Sequence, residues 1–152
     1  MKKEESYKWA EKQVRSKVKN HNNTISTLAN VSAILKERFP NFFWVGFYFY
    51  KGDHLILGPF QGPPACVKLD INKGVCAASA RAKETVLVED VEKFPGHVAC
   101  DARSKSEIVV PVFDSAGNLK AVLDVDSEAL SDFDGVDQEW LEKICDHLKS
   151  IW

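Results

Sequence analysis

The residues with the clearest chemical potential lie in a short polar loop, Gly96-His97-Val98-Ala99-Cys100-Asp101, set between two β-like runs. A redox thiol needs an exposed, positively biased setting and a second thiol within reach. His97 lies three residues before Cys100 and Arg103 three after it, and either could favour the thiolate below the free thiol's pKa of ~8.5. Asp101 opposes that shift. Three further cysteines occur, Cys66, Cys76 and Cys145. Cys145 sits beside Ile144 in an amphipathic segment and reads as a small buried hydrophobe. A zinc site built from Cys66, Cys76, Cys100 and His97 is the metal alternative. Its gaps of ten and twenty-four residues contain no Cys-x-x-Cys knuckle, which weighs against it.

Carboxylates form a second chemical group. Asp124 and Asp126 alternate with Leu123 and Val125, so both acids share one face of a strand. Glu107 opens a neighbouring run expected to pair with that strand. Inward-facing carboxyls are costly unless they bind something or hold a proton. Such a cluster suits an ammonium, or an oxygen to which an acid donates. The alternation alone leaves the solvent side open. The aromatic run from Phe42 to Tyr50 places Phe43, Val45, Phe47 and Phe49 on one face, and Trp44, Gly46, Tyr48 and Tyr50 on the other. Apolar side chains on both faces predict a strand covered on both sides, and Gly46 leaves a gap that Trp44 and Tyr48 could wall.

The elements needed to position these groups are legible in order. Residues 6–20 form an amphipathic helix with Trp9 as its large anchor, and its Lys and Glu residues interleave as a solvated face. Asn22-Asn23 caps a second helix, in which Leu28, Val31, Leu35 and Phe39 share one side and Pro40 ends the run. The aromatic strand turns at Lys51-Gly52-Asp53 into a return strand, residues 54–60, and a third short strand covers residues 65–69. The small residues from Val75 to Ala82 predict a helix that can lie close to a sheet, with Cys76 in its first turn. A strand over 85–89, a long functional loop and a hairpin of two strands, 107–112 and 119–126, follow. Asp134 caps a last helix carrying Trp140, Ile144, Leu148 and Ile151. Hairpins with helices gathered around them predict an α+β antiparallel sheet domain.

Composition narrows the function. With 152 residues, 45% of them apolar, one domain can bury a core without staples. A net charge of −2 with no basic stripe argues against nucleic acid. No run is long enough to span a membrane and no secretory leader is expected, so a cytoplasmic setting follows, where disulfides are mostly transient or catalytic. The apolar stripe of Trp9, Trp140, Ile144, Leu148 and Trp152 allows a homodimer.

Trp44-Val45-Gly46-Phe47-Tyr48, Leu57-Gly58-Pro59-Phe60-Gln61-Gly62, Ala65-Cys66, Gly74-Val75-Cys76, Gly96 to Asp101, Ser106 to Pro111 and Val122 to Ser127 together resemble the free methionine-(R)-sulfoxide reductases, which are single GAF domains. The resemblance runs from about Thr24 to the end. It implies a GAF-like fold with a central antiparallel sheet of about six strands, residues 1–22 being a helical extension and 23–152 the core. It further implies Cys100 as catalytic cysteine, Cys66 as principal resolving partner and Cys76 as a third exchanging thiol. Glu107, Asp124 and Asp126 match acidic substrate ligands, Glu107 also as a candidate proton donor, and Trp44 and Tyr48 match pocket aromatics. The implied substrate is free methionine-(R)-sulfoxide, with no bound cofactor and a thioredoxin-type dithiol as reductant. Ala77 departs from the family pattern, where glycine follows the Gly-Val-Cys motif. A non-catalytic GAF sensor that binds a small molecule is the competing reading, against which stands the lack of an output domain in this sequence.

Overall fold

The computed structural model describes residues 2–98 and 100–152; Ala99, inside the loop motif, and Met1 lie outside the described residues. Two helices come first, α1 (Lys3–Lys19) and α2 (Thr24–Arg38), followed by strands β1 (Trp44–Tyr50), β2 (His54–Gln61) and β3 (Lys68–Asp70). Helix α3 (Val75–Ala82), strand β4 (Val86–Val88), a single 3-10 turn, strands β5 (Ser106–Phe113) and β6 (Leu119–Ser127), and helix α4 (Gly135–His147) complete the order. The six strands form one antiparallel sheet in the order β3-β2-β1-β6-β5-β4. Six antiparallel strands with four helices are the α+β architecture and GAF-like sheet that the sequence predicts.

Register decides what each face of the sheet carries. Trp44 pairs with Asp126, and Asp126 with Glu107, so these three residues form one row across β1, β6 and β5. In the next row, Gly46 pairs with Asp124 and Asp124 with Val109. Directly paired residues share a face, so the aromatics and all three acids point the same way. The intervening residues, Val45, Phe47, Leu123, Val125, Ile108 and Val110, point oppositely and are buried with side chains from α1, α2 and α4. Both sides of the central strands are therefore covered, as the unbroken aromatic run requires.

Helix ends follow local chemistry. The Asn23 side chain accepts from Ser26 N–H at the start of α2, and Asp134 and Asp137 form a reciprocal capping box at α4. Asp137 does more than cap. Its buried carboxylate accepts from Tyr7 Oη at 2.6 Å and from Lys3 Nζ at 2.8 Å, tying α1 to α4. Tyr7, fully buried, is therefore the anchor of the first helix in place of Trp9, which is only half-buried under Arg38. The buried stripe of Trp140, Ile144 and Leu148, running from α4 into the 3-10 turn after it, packs into the chain's own core, so it no longer argues for a dimer surface. Among the described residues, no helix is long and apolar enough to cross a membrane.

Two local expectations are corrected. The third strand begins at Lys68 rather than residue 65, which leaves Cys66 in the loop before it, although Val67 still accepts a hydrogen bond from Leu57 N–H. Phe43 precedes β1 and packs on the Trp44 side of the sheet, not with Val45, because the strand's alternation has not yet begun there.

Candidate active site

A cavity of about 70 Å³ lies between α3, the 95–104 loop and the acid-bearing face of the sheet. The sequence-predicted residues Trp44, Tyr48, Cys76, Cys100, Glu107, Asp124 and Asp126 all line it. Cys66 closes the group through a disulfide to Cys100, with Cα atoms 5.6 Å apart. Cys100 is exposed and Cys66 half-buried, so the bond sits at the cavity mouth. In this disulfide form Cys66 and Cys100 are bonded to each other and do not offer the thiolates that a metal site on three cysteines and His97 would use. Cys145 is buried and free on the far side, as expected.

The aromatic wall is built differently from the sequence expectation. A Cβ at Gly46 would lie 2.3 Å from Phe60 Cβ and 2.9 Å from the Pro59 carbonyl oxygen. The gap left by this glycine is therefore filled by β2, not by a ligand. Phe60 pressed into it stacks on Trp44 at 5.1 Å between centroids, and Trp44 stacks in turn near Tyr48 at 5.9 Å. Trp44 Nε1 donates to the Pro63 carbonyl at 3.1 Å, and Tyr48 Oη donates to the Cys66 carbonyl at 2.8 Å. Each ring thus has its polar tip satisfied and its apolar surface turned to the pocket.

The acids face inward. Glu107 and Asp124 are 7% and 6% exposed, which settles the orientation that alternation left open; Asp126 is half-buried. Burial, reinforced by the neighbouring charges of Asp124 and Asp126, holds the Glu107 carboxyl well above the usual carboxylate range. Burial and the Asp124 charge do the same to Asp126, even though Ser104 Oγ donates to its Oδ1 at 3.0 Å. Burial raises Asp124 too, but hydrogen bonds from Glu107, Asp126 and Cys76, with the charge of His97, pull it back. The cluster therefore holds Asp124 as the member readiest to ionise, beside two carboxyls that retain protons. Asp124 Oδ1 is buried without a hydrogen-bond partner. Cys76 Sγ lies 4.0 Å from Glu107 Oε2, and burial, then the charges of Asp124, Glu107 and Asp126, push its thiol well up.

Arg103 behaves otherwise than expected. Its guanidinium donates to both carboxylate oxygens of Asp101, at 3.0 and 2.7 Å, and lies 4.8 Å over the Phe43 ring. It is thus a strut between the Cys100 loop and the pocket wall, with its charge spent on Asp101. Sequence reasoning missed Phe43, Phe60 and Ser104. The Gly46 gap was a usable signal for Phe60, whereas nothing in the local sequence marks Ser104.

The model of the family described as "GAF domain" matches residues 26–151. Free methionine-R-sulfoxide reductase of Escherichia coli is 41% identical over 127 residues, covering 84% of this chain and 76% of that protein. GAF domain-containing protein A of Dictyostelium discoideum is 49% identical over 93% of this chain and 89% of its own length. The crystal structure of free methionine-R-sulfoxide reductase from Neisseria meningitidis, in complex with its substrate, superposes with a TM-score of 0.93 at 41% identity, covering 98% of this chain and 89% of that one. The chain is a GAF domain of the free methionine-R-sulfoxide reductase family. Within that family's fold, the sheet register and α3 bring the acids, the aromatics and Cys76 together, while the disulfide holds the Cys100 loop across them.

Proposed function

We propose that this chain reduces free methionine-(R)-sulfoxide to methionine. The observation that carries the reading is the Cys66 to Cys100 bond at the mouth of a cavity whose floor is three inward acids. In the reduced protein, the Cys100 thiolate attacks the sulfoxide sulfur. Glu107 or Asp126, whose carboxyls burial pushes toward the protonated form, donates to the sulfoxide oxygen. The protonated oxygen then transfers to the Cys100 sulfur as the S–O bond and the newly formed S–S bond break, so methionine leaves with its sulfur reduced and Cys100 is oxidised to a sulfenic acid. The Cys66 thiol then condenses with it, forming the disulfide and releasing water. A dithiol of the thioredoxin class returns both cysteines to thiols by exchange, becoming a disulfide itself. A reducing compartment such as the cytoplasm suits that recycling.

Recognition follows from the remaining groups. The unpartnered Asp124 Oδ1 accepts from the substrate ammonium, and Trp44 packs on the terminal methyl group. A methionine residue within a peptide has no free ammonium, so selectivity for the free amino acid results. Cys76 enters exchange less readily than Cys66, because its thiol is buried against carboxyls that resist its ionisation.

The test is methionine release from separated R and S sulfoxides with a dithiol present. The wild-type chain turns over the R form alone, and Cys100→Ser abolishes turnover. Cys66→Ser releases about one methionine per chain in a fast phase and then slows, since only the buried Cys76 and the external dithiol remain to reduce the sulfenic acid. Normal turnover by Cys100→Ser would overturn the mechanism, and tight ligand binding without any turnover would favour a sensor.

A further inference from the structure

We propose that the cavity also binds a thiophilic divalent cation of the zinc class, held by Cys76 Sγ, Glu107 and Asp124, in competition with an amino-acid ammonium. The metal site rests on the donor geometry alone, and its competition with an ammonium rests on the recognition proposed above. Among the described residues, these three side chains each offer one ligand atom within 4.8 Å of the other two. They come from three elements, the first turn of α3, β5 and the centre of β6, so the sheet and helix together fix their spacing. All three are buried, and Asp124 Oδ1 lacks any hydrogen-bond partner while its residue lines the cavity.

The donor types select the metal. One sulfur and two carboxylate oxygens suit a borderline-soft ion, whereas calcium and magnesium ask for six or more oxygens or several waters. Zinc–sulfur and zinc–oxygen bonds of about 2.3 and 2.1 Å place tetrahedral donors roughly 3.5 Å apart. The Cys76 Sγ to Glu107 Oε2 separation of 4.0 Å is close to that value, so small side-chain movements complete the triangle. The fourth position opens on the cavity, as in three-ligand sites that keep one position for water or a small molecule. Binding displaces the protons of the Cys76 thiol and the Glu107 carboxyl into solvent and leaves a thiolate and two carboxylates around one dication. This set differs from any built on Cys66 or Cys100, which are bonded to each other. A cation there occupies the acids that an ammonium needs, so metal and free methionine exclude each other.

Chelator-free full-length protein, in the disulfide form, is titrated with cobalt(II) and then with zinc. One equivalent of cobalt gives a sulfur-to-cobalt charge-transfer band, which zinc displaces and excess free methionine weakens. The band disappears in Cys76→Ala, and apparent affinity falls at least about tenfold in Asp124→Asn. It persists in Cys145→Ala. Should Cys76→Ala not fold, the unsubstituted chain serves: zinc slows alkylation of Cys76, followed by peptide mapping. Absence of the band, its survival in Cys76→Ala, or alkylation unaffected by zinc overturns the site. The sulfoxide assay is run separately with chelator, so a chain that turns over sulfoxide but binds no cobalt loses this inference alone.

Discussion

The two faces of the sheet are made from the same strands and do opposite things. On the face under α1, α2 and α4, Val45, Phe47, Ile108, Leu123 and Val125 are buried in one apolar cluster. On the other face, the same strands carry Glu107, Asp124 and Asp126 into a partly enclosed space beside a thiol and a disulfide. Burying those acids costs free energy that an apolar residue would not. The contrast teaches that one layer is apolar packing, whereas the other, with its own apolar cluster around Trp44, Tyr48 and Val109, also carries the cost of holding charge away from water. An antiparallel sheet separates the two tasks residue by residue, because neighbours along a strand face opposite ways.

Substitutions can break that division or sharpen it. The largest effect is expected on the apolar face, where Phe47→Ala removes a fully buried ring and costs about 3–5 kcal/mol of unfolding free energy. Urea melts check this, and any surviving folded fraction keeps its substrate preference. On the acid face, Asp124→Asn lowers kcat/KM for the sulfoxide about 10- to 100-fold, the size expected for losing a charged hydrogen bond. The same melts show little loss of stability, or a gain, because a buried charge has gone. A large loss of stability in Asp124→Asn would erase the distinction between the faces.

Gly46→Ala tests the seam between strand and pocket wall. Its new Cβ meets the Phe60 backbone and Cβ, and overpacking of this kind costs about 1–3 kcal/mol. Loss of the Trp44–Phe60 stack, followed by tryptophan fluorescence, accompanies it. The smallest effect belongs to the exposed Asp101–Arg103 pair. Hydrogen bonds from Arg103 lower the Asp101 carboxyl to about 2. The pair's contribution is therefore fully present above the ordinary carboxylate value of about 3.9 and is lost as pH falls through about 2. Carboxyl NMR titration reads this directly, and Arg103→Gln moves the Asp101 midpoint upward.

The sequence reveals the elements well because their signals are local. The caps at Asn23 and Asp134, the stop at Pro40 and the 114–118 hairpin each act within a few residues. Where a partner is distant, local reading fails. Tyr7 outranks Trp9 because Asp137, 130 positions away, accepts its hydroxyl. The short edge strand starts late because pairing with β2, rather than its own pattern, defines it. At the site, alternation places Asp124 and Asp126 together but cannot tell inside from outside; the pairing of Trp44 with Asp126 settles that. The partnership of Cys66 with Cys100 came from family likeness. Spacing alone leaves Cys76 an equal candidate, and only the fold shows that α3 buries it behind the acids.

The hydrogen bond from Tyr48 to the Cys66 carbonyl does not depend on the state of the sulfur. It involves backbone, so opening the disulfide leaves it intact, and the Val67 carbonyl remains tethered to β2 through Leu57. Cys66 is therefore moored through main-chain atoms whether or not its sulfur is bonded to Cys100.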